Sequence, residues 1–188
     1  VLDEGYVRLV DYMGSDVSIA NAARVSYNKA VDELGEKDVK LIRFLAREGH
    51  TSPFRHASLQ FEVYAPLMVA RQHWKYIVGS DHTMDAWNES SRRYVTEEPV
   101  FYIPAPNEWR SAPENSKQGS GETVNAITGA KFTLTLKKYI EDGEFLYNEA
   151  LKNGICAEQA RLFLPAYGMY VRYYWTASLQ SVSHFLKQ

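Results

Sequence analysis

Between two apolar stretches the chain carries Trp87-Asn88-Glu89-Ser90-Ser91-Arg92-Arg93-Tyr94: an amide, a carboxylate, two hydroxyls, two guanidiniums and a phenol in eight residues. In an extended backbone successive side chains point to opposite faces, so Glu89, Ser91 and Arg93 share one side while Asn88, Ser90, Arg92 and Tyr94 share the other. An acceptor, a small donor and a planar cation in a row suit a sugar phosphate. The guanidinium forks onto phosphate oxygens, the hydroxyl donates, and the carboxylate accepts from a ribose hydroxyl. The plain alternative is a hairpin edge with a solvated Glu–Arg ladder, which contributes little to stability.

Further polar islands interrupt apolar elements at Arg24/Ser26, at His50 to His56, at Gln72/Lys75 and at Arg161. Arg161 stands within Ala160-Arg161-Leu162-Phe163-Leu164-Pro165, where a buried guanidinium needs an anionic partner, either a ligand phosphate or a carboxylate such as Glu158. Behind Leu67-Met68-Val69-Ala70, one of Arg71 and Gln72 is expected near the apolar face of a helix, where it meets a partner or another subunit. Tyr173-Tyr174-Trp175 can stack a ring system, although core or interface packing is the favoured reading. Cys156 has no His or cation beside it to stabilise a thiolate, and the five histidines form no ligand pair, so neither a cysteine nucleophile nor a metal is expected.

The elements that must position these groups are readable in outline. Tyr6 to Tyr12 alternates as a first strand, and Ser15 or Asp16 caps a helix carrying Ile19, Ala20, Ala23 and Tyr27. Glu36 to Glu48 is the clearest amphipathic helix, stopped by Gly49. After the polar connector 50–56, Ala57 to Ala65 reads as a strand, with Pro66 as first residue of a helix running to Lys75. Val78 to Asp85 has loop composition, Val100 to Ile103 reads as a strand, and Asn107 to Gly121 as a mobile loop. A long helix is expected over Thr123 to Leu151, bent near Gly129. Another starts at Ala157, is kinked by Pro165 before Tyr167 to Trp175, and is followed by a last helix over 178–188. With no repeat or linker, the reading is a single α+β domain spanning 1–188, with a small antiparallel sheet built early in the chain and several packed helices late.

A length of 188 residues with 45% hydrophobic content is enough to bury a core. A formal charge of −2 gives no basic field, so nucleic acid and membrane surfaces are not expected partners, and any anion site must be local. No run approaches the length of a membrane span, no signal pattern opens the chain, and the lone cysteine permits a reducing compartment, so a cytoplasmic protein is expected. The chain starts without Met and stops at Lys187-Gln188 behind a helix that lacks a stop signal, which suggests a fragment truncated at the C-terminus.

Taken together, Ala70-Arg71-Gln72 followed by Asn88-Glu89-x-Ser91-x-Arg93-Tyr94 resembles the flavin-dependent thymidylate synthases. Ala22-Ala23-Arg24-Val25-Ser26-Tyr27, Gly49-His50-x-x-Pro53-Phe54-x-His56, Tyr102-Ile103-Pro104, Ala160-Arg161-x-x-Leu164-Pro165 and His184-Phe185-Leu186 extend the likeness over nearly the whole chain. The resemblance implies methylation of deoxyuridine monophosphate (dUMP) at uracil C5, with methylenetetrahydrofolate as carbon donor, FAD as cofactor and NADPH as reductant. It also implies a homotetramer whose subunits associate through helices, with sites at subunit interfaces. By the same resemblance Gln72, Lys75, Glu89, Ser91, Arg93 and Arg161 bind dUMP. Ser26, Ser52, Lys75, Asn88, Glu89, Ser178 and His184 contact FAD. His50 and Ser91 belong to the catalytic group, Ser91 positioning the nucleotide rather than attacking it.

The chain departs from the family's Arg-His-Arg element. Read forward from Gln72 those positions hold Lys75, Tyr76 and Ile77, with extra residues before Trp87; counted back from Ser91 they hold Asp81, His82 and Thr83. Helix continuity from Ala70 favours the first register. Arg55 replaces an acidic residue of some members, and an Arg that members carry beyond His-Phe-Leu lies past the end of this chain, so weak activity of these 188 residues is expected. The rivals are a flavin or nucleotide binder without turnover and a single-stranded nucleic-acid binder.

Overall fold

Two segments far apart in the chain supply the middle of one antiparallel sheet: β2 (Ser58–Pro66) and β4 (Tyr170–Ser178), paired from Ser58↔Ser178 to Pro66↔Tyr170. β1 (Tyr6–Met13) lies outside β2 and β3 (Ala86–Glu89) outside β4, giving the order β1-β2-β4-β3. The computed structural model of the protein describes residues 2–79, 86–91 and 98–187. Within them the helices are α1 (Asp16–Arg24), α2 (Glu36–Arg47), α3 (Leu67–Gly79), α4 (Ala126–Lys152), α5 (Ala157–Ala160) and α6 (Leu179–Phe185). The expected α+β class with a small antiparallel sheet is therefore found. Among the described residues no helix is long and apolar enough to cross a membrane.

Alternation decides which sheet face is core. Val63, Ala65, Val171, Tyr173, Trp175 and Ala177 point to one side, where Ala70 and Ile77 of α3 and Val182 of α6 close over them. The opposite face carries the buried carboxylate of Glu62, bonded by the Tyr6 hydroxyl at 2.6 Å and by Arg8, with Arg172 at 3.6 Å. α1 and α2 are tied by the Arg24–Asp38 ion pair, while the other Asp38 oxygen accepts the Gly35 N–H at 2.8 Å. α2 ends as Gly49 predicts: that residue takes φ 72°, and the His50 N–H returns to the Leu45 carbonyl at 2.9 Å.

Several expectations are corrected. The sheet is not confined to the first half, because Tyr170–Ser178, read as helical, is a strand at the sheet centre. Its aromatic residues on both faces blur a period of two into a near-continuous apolar run. Val100 to Ile103 forms no strand; a lone bridge joins Phe101 to Met169, and Pro99 and Pro104, lacking N–H donors, bracket the segment. Pro66 ends β2 instead of opening α3, and Val78 and Gly79 belong to α3 rather than to a loop. Ser80 to Asp85 lies outside the described residues. α4 is one helix capped by Asn125, whose side chain accepts the Thr128 N–H at 2.9 Å. Gly129 serves close approach, since a Cβ there would sit 1.8 Å from the Pro106 carbonyl oxygen, and Thr133 donates to the Pro104 carbonyl at 2.8 Å alongside. The loop 107–121 is fastened at its base by Ser111 N–H to Glu122, Gly121 N–H to Ser111 and Val124 N–H to Trp109.

The polar residue that turns from α3 into the core is His73, with Ala70 and Ile77 at helical spacing on either side; Arg71 and Gln72 are both exposed. Burial holds the His73 imidazole down from its ordinary 6.5 to about 4. The unfolded chain takes up this proton near pH 6.5 while the folded chain resists until about 4, so stability is lost as pH falls through that window. The loss is on the order of 3 kcal/mol. Urea titrations at pH 7.5, 5.5 and 4 should show this slope flattened in His73→Phe relative to the parent; parallel slopes would exclude His73 as its source.

Candidate functional site

β3 is a short edge strand whose pairing with β4 continues one residue further, as the Ser90 N–H donates to the Arg172 carbonyl at 2.8 Å. Across from it, the chain leaves α5 through a 3-10 turn, Arg161–Phe163, and Pro165 directs it towards β4. Between them opens a cavity of about 400 Å³. Glu89, Ser90 and Ser91 form one wall and Arg161, Leu162 and Leu164 another, over a floor that includes Met169 and Val171. Glu89, Ser91 and Arg161 thus bring a carboxylate, a hydroxyl and a guanidinium to one space with an apolar floor. That combination can hold an anionic molecule bearing hydroxyls and a flat ring.

The site is electrostatically tuned at Glu89. Desolvation at the wall raises its carboxyl above the ordinary value, while a side-chain hydrogen bond from Trp87 and the nearby Arg71 cation pull the other way. Arg161 is not buried as its apolar neighbours suggest. Leu162 is 81% exposed and Phe163 44%, so the segment runs along the surface, and the guanidinium stands exposed at the cavity wall.

The remaining sequence-derived positions are spread over other parts of the chain. Gln72 and Lys75 occupy the exposed face of α3, where Arg71 and Lys75 flank the Trp74 ring at 5.1 and 5.6 Å; neither Gln72 nor Lys75 lines the cavity. Asn88 pairs with Tyr174 and so faces the side of the sheet opposite Glu89. Ser26 lies in the turn Val25–Tyr27 after α1. His50 is exposed and stacked on Phe44 at 6.1 Å, and Ser52 opens the 3-10 turn Ser52–His56. Ser178 is buried and caps α6, accepting the Ser181 N–H at 3.2 Å, and the Leu179 N–H to Ala57 carbonyl bond ties this corner to the 52–56 turn. His184 is stacked on Tyr76 of α3 at 5.7 Å. Arg93 lies outside the described residues.

One chain therefore joins Glu89, Ser91 and Arg161, and leaves Gln72/Lys75, His50/Ser52/Ser178 and His184 in other parts of the fold. Sequence reasoning did not single out Ser90, Arg71 or Trp87 as parts of the cavity surroundings. It also missed Gln180, whose Oε1 is buried in the first turn of α6 without a partner among the described residues. A polar residue two positions after a Ser cap was the available signal.

The chain is similar to known proteins over nearly its whole length. The profile of the thymidylate synthase complementing protein family matches residues 8–188. A flavin-dependent thymidylate synthase of Wolbachia pipientis wMel is 37% identical over 190 residues, covering 100% of this chain and 63% of that protein. One from Thermosipho africanus is 37% identical over 186 residues, covering 99% of this chain and 77% of the relative. Among solved structures, the UMP/dUMP methylase PolB of Streptomyces cacaoi bound with 5-Br dUMP superposes with a TM-score of 0.81 at 31% identity, covering 98% of this chain and 78% of PolB. PolB bound with 5-Br UMP gives 0.79 at 29% identity, covering 97% and 75%.

Proposed function

The chain belongs to the thymidylate synthase complementing protein family of flavin-dependent thymidylate synthases, and from that premise we propose that it methylates dUMP at uracil C5 in the cavity between β3 and the 161–163 turn. The observation that carries this reading is the convergence of Glu89, Ser91 and Arg161 on one space from elements widely separated in sequence. Arg161, with Arg93, offsets the phosphate charge; Ser91 donates to the nucleotide; Glu89 accepts from a ribose hydroxyl. These contacts fix the pyrimidine over the apolar floor and keep water from its face.

Methylenetetrahydrofolate is the carbon donor in this proposal and NADPH the reductant. FAD, when bound, supplies the hydride. The residues present suit it: the Gln180 Oε1, without a partner among the described residues, can accept from a ring N–H, and the Ser178 hydroxyl at the start of the same helix, which accepts the Ser181 N–H, has a proton to donate. Ser26, Ser52, Lys75, Asn88, Glu89 and His184 are assigned to the same cofactor, His50 to the catalytic group beside it, and Gln72 and Lys75 to dUMP. Because these groups do not line the cavity of their own chain, Glu89 excepted, a homotetramer that brings them to it from neighbouring subunits is part of the proposal. α4 offers a contact surface for it, with Ile127 85%, Leu134 67% and Phe145 64% exposed.

A second reading is favoured by the PolB likeness, since that enzyme is named for both nucleotides: UMP is accepted alongside dUMP. Release of tritium from 5-tritiated dUMP and UMP, with FAD, NADPH and methylenetetrahydrofolate supplied, tests both. Release from dUMP is the expected result. A colourless protein that neither takes up FAD nor releases tritium would overturn the proposal.

A further inference from the structure

We infer that the buried His73–Tyr173 pair is the positioning element that holds Trp87, and through it the Glu89 carboxylate, at the cavity wall. Among the described residues β3 spans four residues and has a single neighbour, so its backbone ladder alone is a weak anchor. Side chains supply the rest. The Trp87 ring lies on the Tyr173 ring with centroids 3.7 Å apart and planes at 19°, two residues before Glu89 on the same face of β3. Glu89 is itself the cross-strand partner of Tyr173. The Tyr173 ring therefore sets where this end of β3 can lie.

What fixes Tyr173 is the His73 Nδ1, 3.0 Å from its hydroxyl, with both residues buried. We assign the hydroxyl as donor and Nδ1 as acceptor, which places the imidazole proton on Nε2. Trp175 meets the imidazole edge-on at 4.5 Å and Phe185 lies at 4.8 Å, while Nε2 has no hydrogen-bond partner among the described residues. A buried unpartnered ring nitrogen is a cost that Leu or Phe in this place would not carry. The imidazole's return on that cost is the acceptor it presents to Tyr173. Nothing in this arrangement moves a proton to or from the reaction; His73 and Tyr173 act by placement.

The inference rests on the cavity being the nucleotide site, and the test separates the two. Kd values for dUMP and for FAD are measured by calorimetry on the parent chain and on Glu89→Gln, Tyr173→Phe, His73→Phe and His73→Asn. Glu89→Gln should weaken dUMP about tenfold. Tyr173→Phe, which removes one oxygen from an otherwise intact ring, and His73→Phe should each weaken it roughly 3- to 10-fold, without adding when combined. His73→Asn, whose amide oxygen can stand where Nδ1 stands, should recover binding to within about twofold of the parent, and FAD affinity, which Glu89 also serves, should change by less than dUMP affinity in every variant. If Glu89→Gln weakens dUMP but Tyr173→Phe does not, or if Asn rescues no better than Phe, the positioning role is refuted while the cavity reading stands. An unchanged Glu89→Gln takes down the cavity reading and this inference with it.

Discussion

Replacing Arg161 with Ala is expected to weaken dUMP binding by roughly 10- to 100-fold, the 1.5–3 kcal/mol that a hydrogen bond to a charged group contributes. Arg161 is the described cation among the lining residues of the cavity, standing across from Glu89 and Ser91, and a nucleotide monophosphate brings the negative charge that a guanidinium fork matches. Because the side chain is exposed, the apo protein should fold with unchanged stability, and FAD uptake should be preserved. Arg161→Lys should recover part of the loss, keeping the charge and giving up the two-pronged geometry. A dUMP Kd that does not move, read by calorimetry at one fixed salt concentration, would remove Arg161 from the site.

A larger effect on the fold is expected from Trp175→Ala, which should lower stability by about 3 kcal/mol, near the low end of the 3–5 kcal/mol for buried Trp and Phe truncations. Trp175 is 4% exposed at the centre of the sheet, stacked on Phe61 at 5.6 Å and packed edge-on against His73 and Phe185. Its indole N–H is buried without a partner among the described residues, and the truncation relieves that cost, which is why the low end applies. Urea unfolding gives the value directly. Tyr174→Ala, on the other face of the same strand and 40% exposed, is the control and should cost under about 1 kcal/mol. Equal effects from the two would mean that the face assignment of β4 is wrong.

Those two residues also show what a sequence gives away and what it withholds. Ser91 and Glu89 were legible because they lie two apart in an extended run, where period two alone puts them on one face. Arg161 was legible as a candidate, yet the reason first attached to it was wrong: apolar neighbours do not bury a cation when those neighbours are themselves on the surface, as Leu162 is. The first strands and the amphipathic α2 were readable from alternation and from Gly49, signals that act locally. β4 was not, because Tyr170, Tyr173, Tyr174 and Trp175 put aromatic rings on both sides of a central strand, and only the partner strands reveal which side is core. The His73–Tyr173–Trp87 chain depends on contacts between segments distant in sequence, which no local spacing encodes.

The most direct test of the account is a crystal structure of the protein with 5-bromo-dUMP, located by the anomalous signal of bromine. The nucleotide should lie in the cavity bounded by Glu89, Ser91 and Arg161, with phosphate oxygens about 3 Å from the Arg161 guanidinium and Arg93 on the same phosphate. Bromine density elsewhere on the protein, or Arg93 and Arg161 too far apart to share one phosphate even across neighbouring subunits, would contradict it.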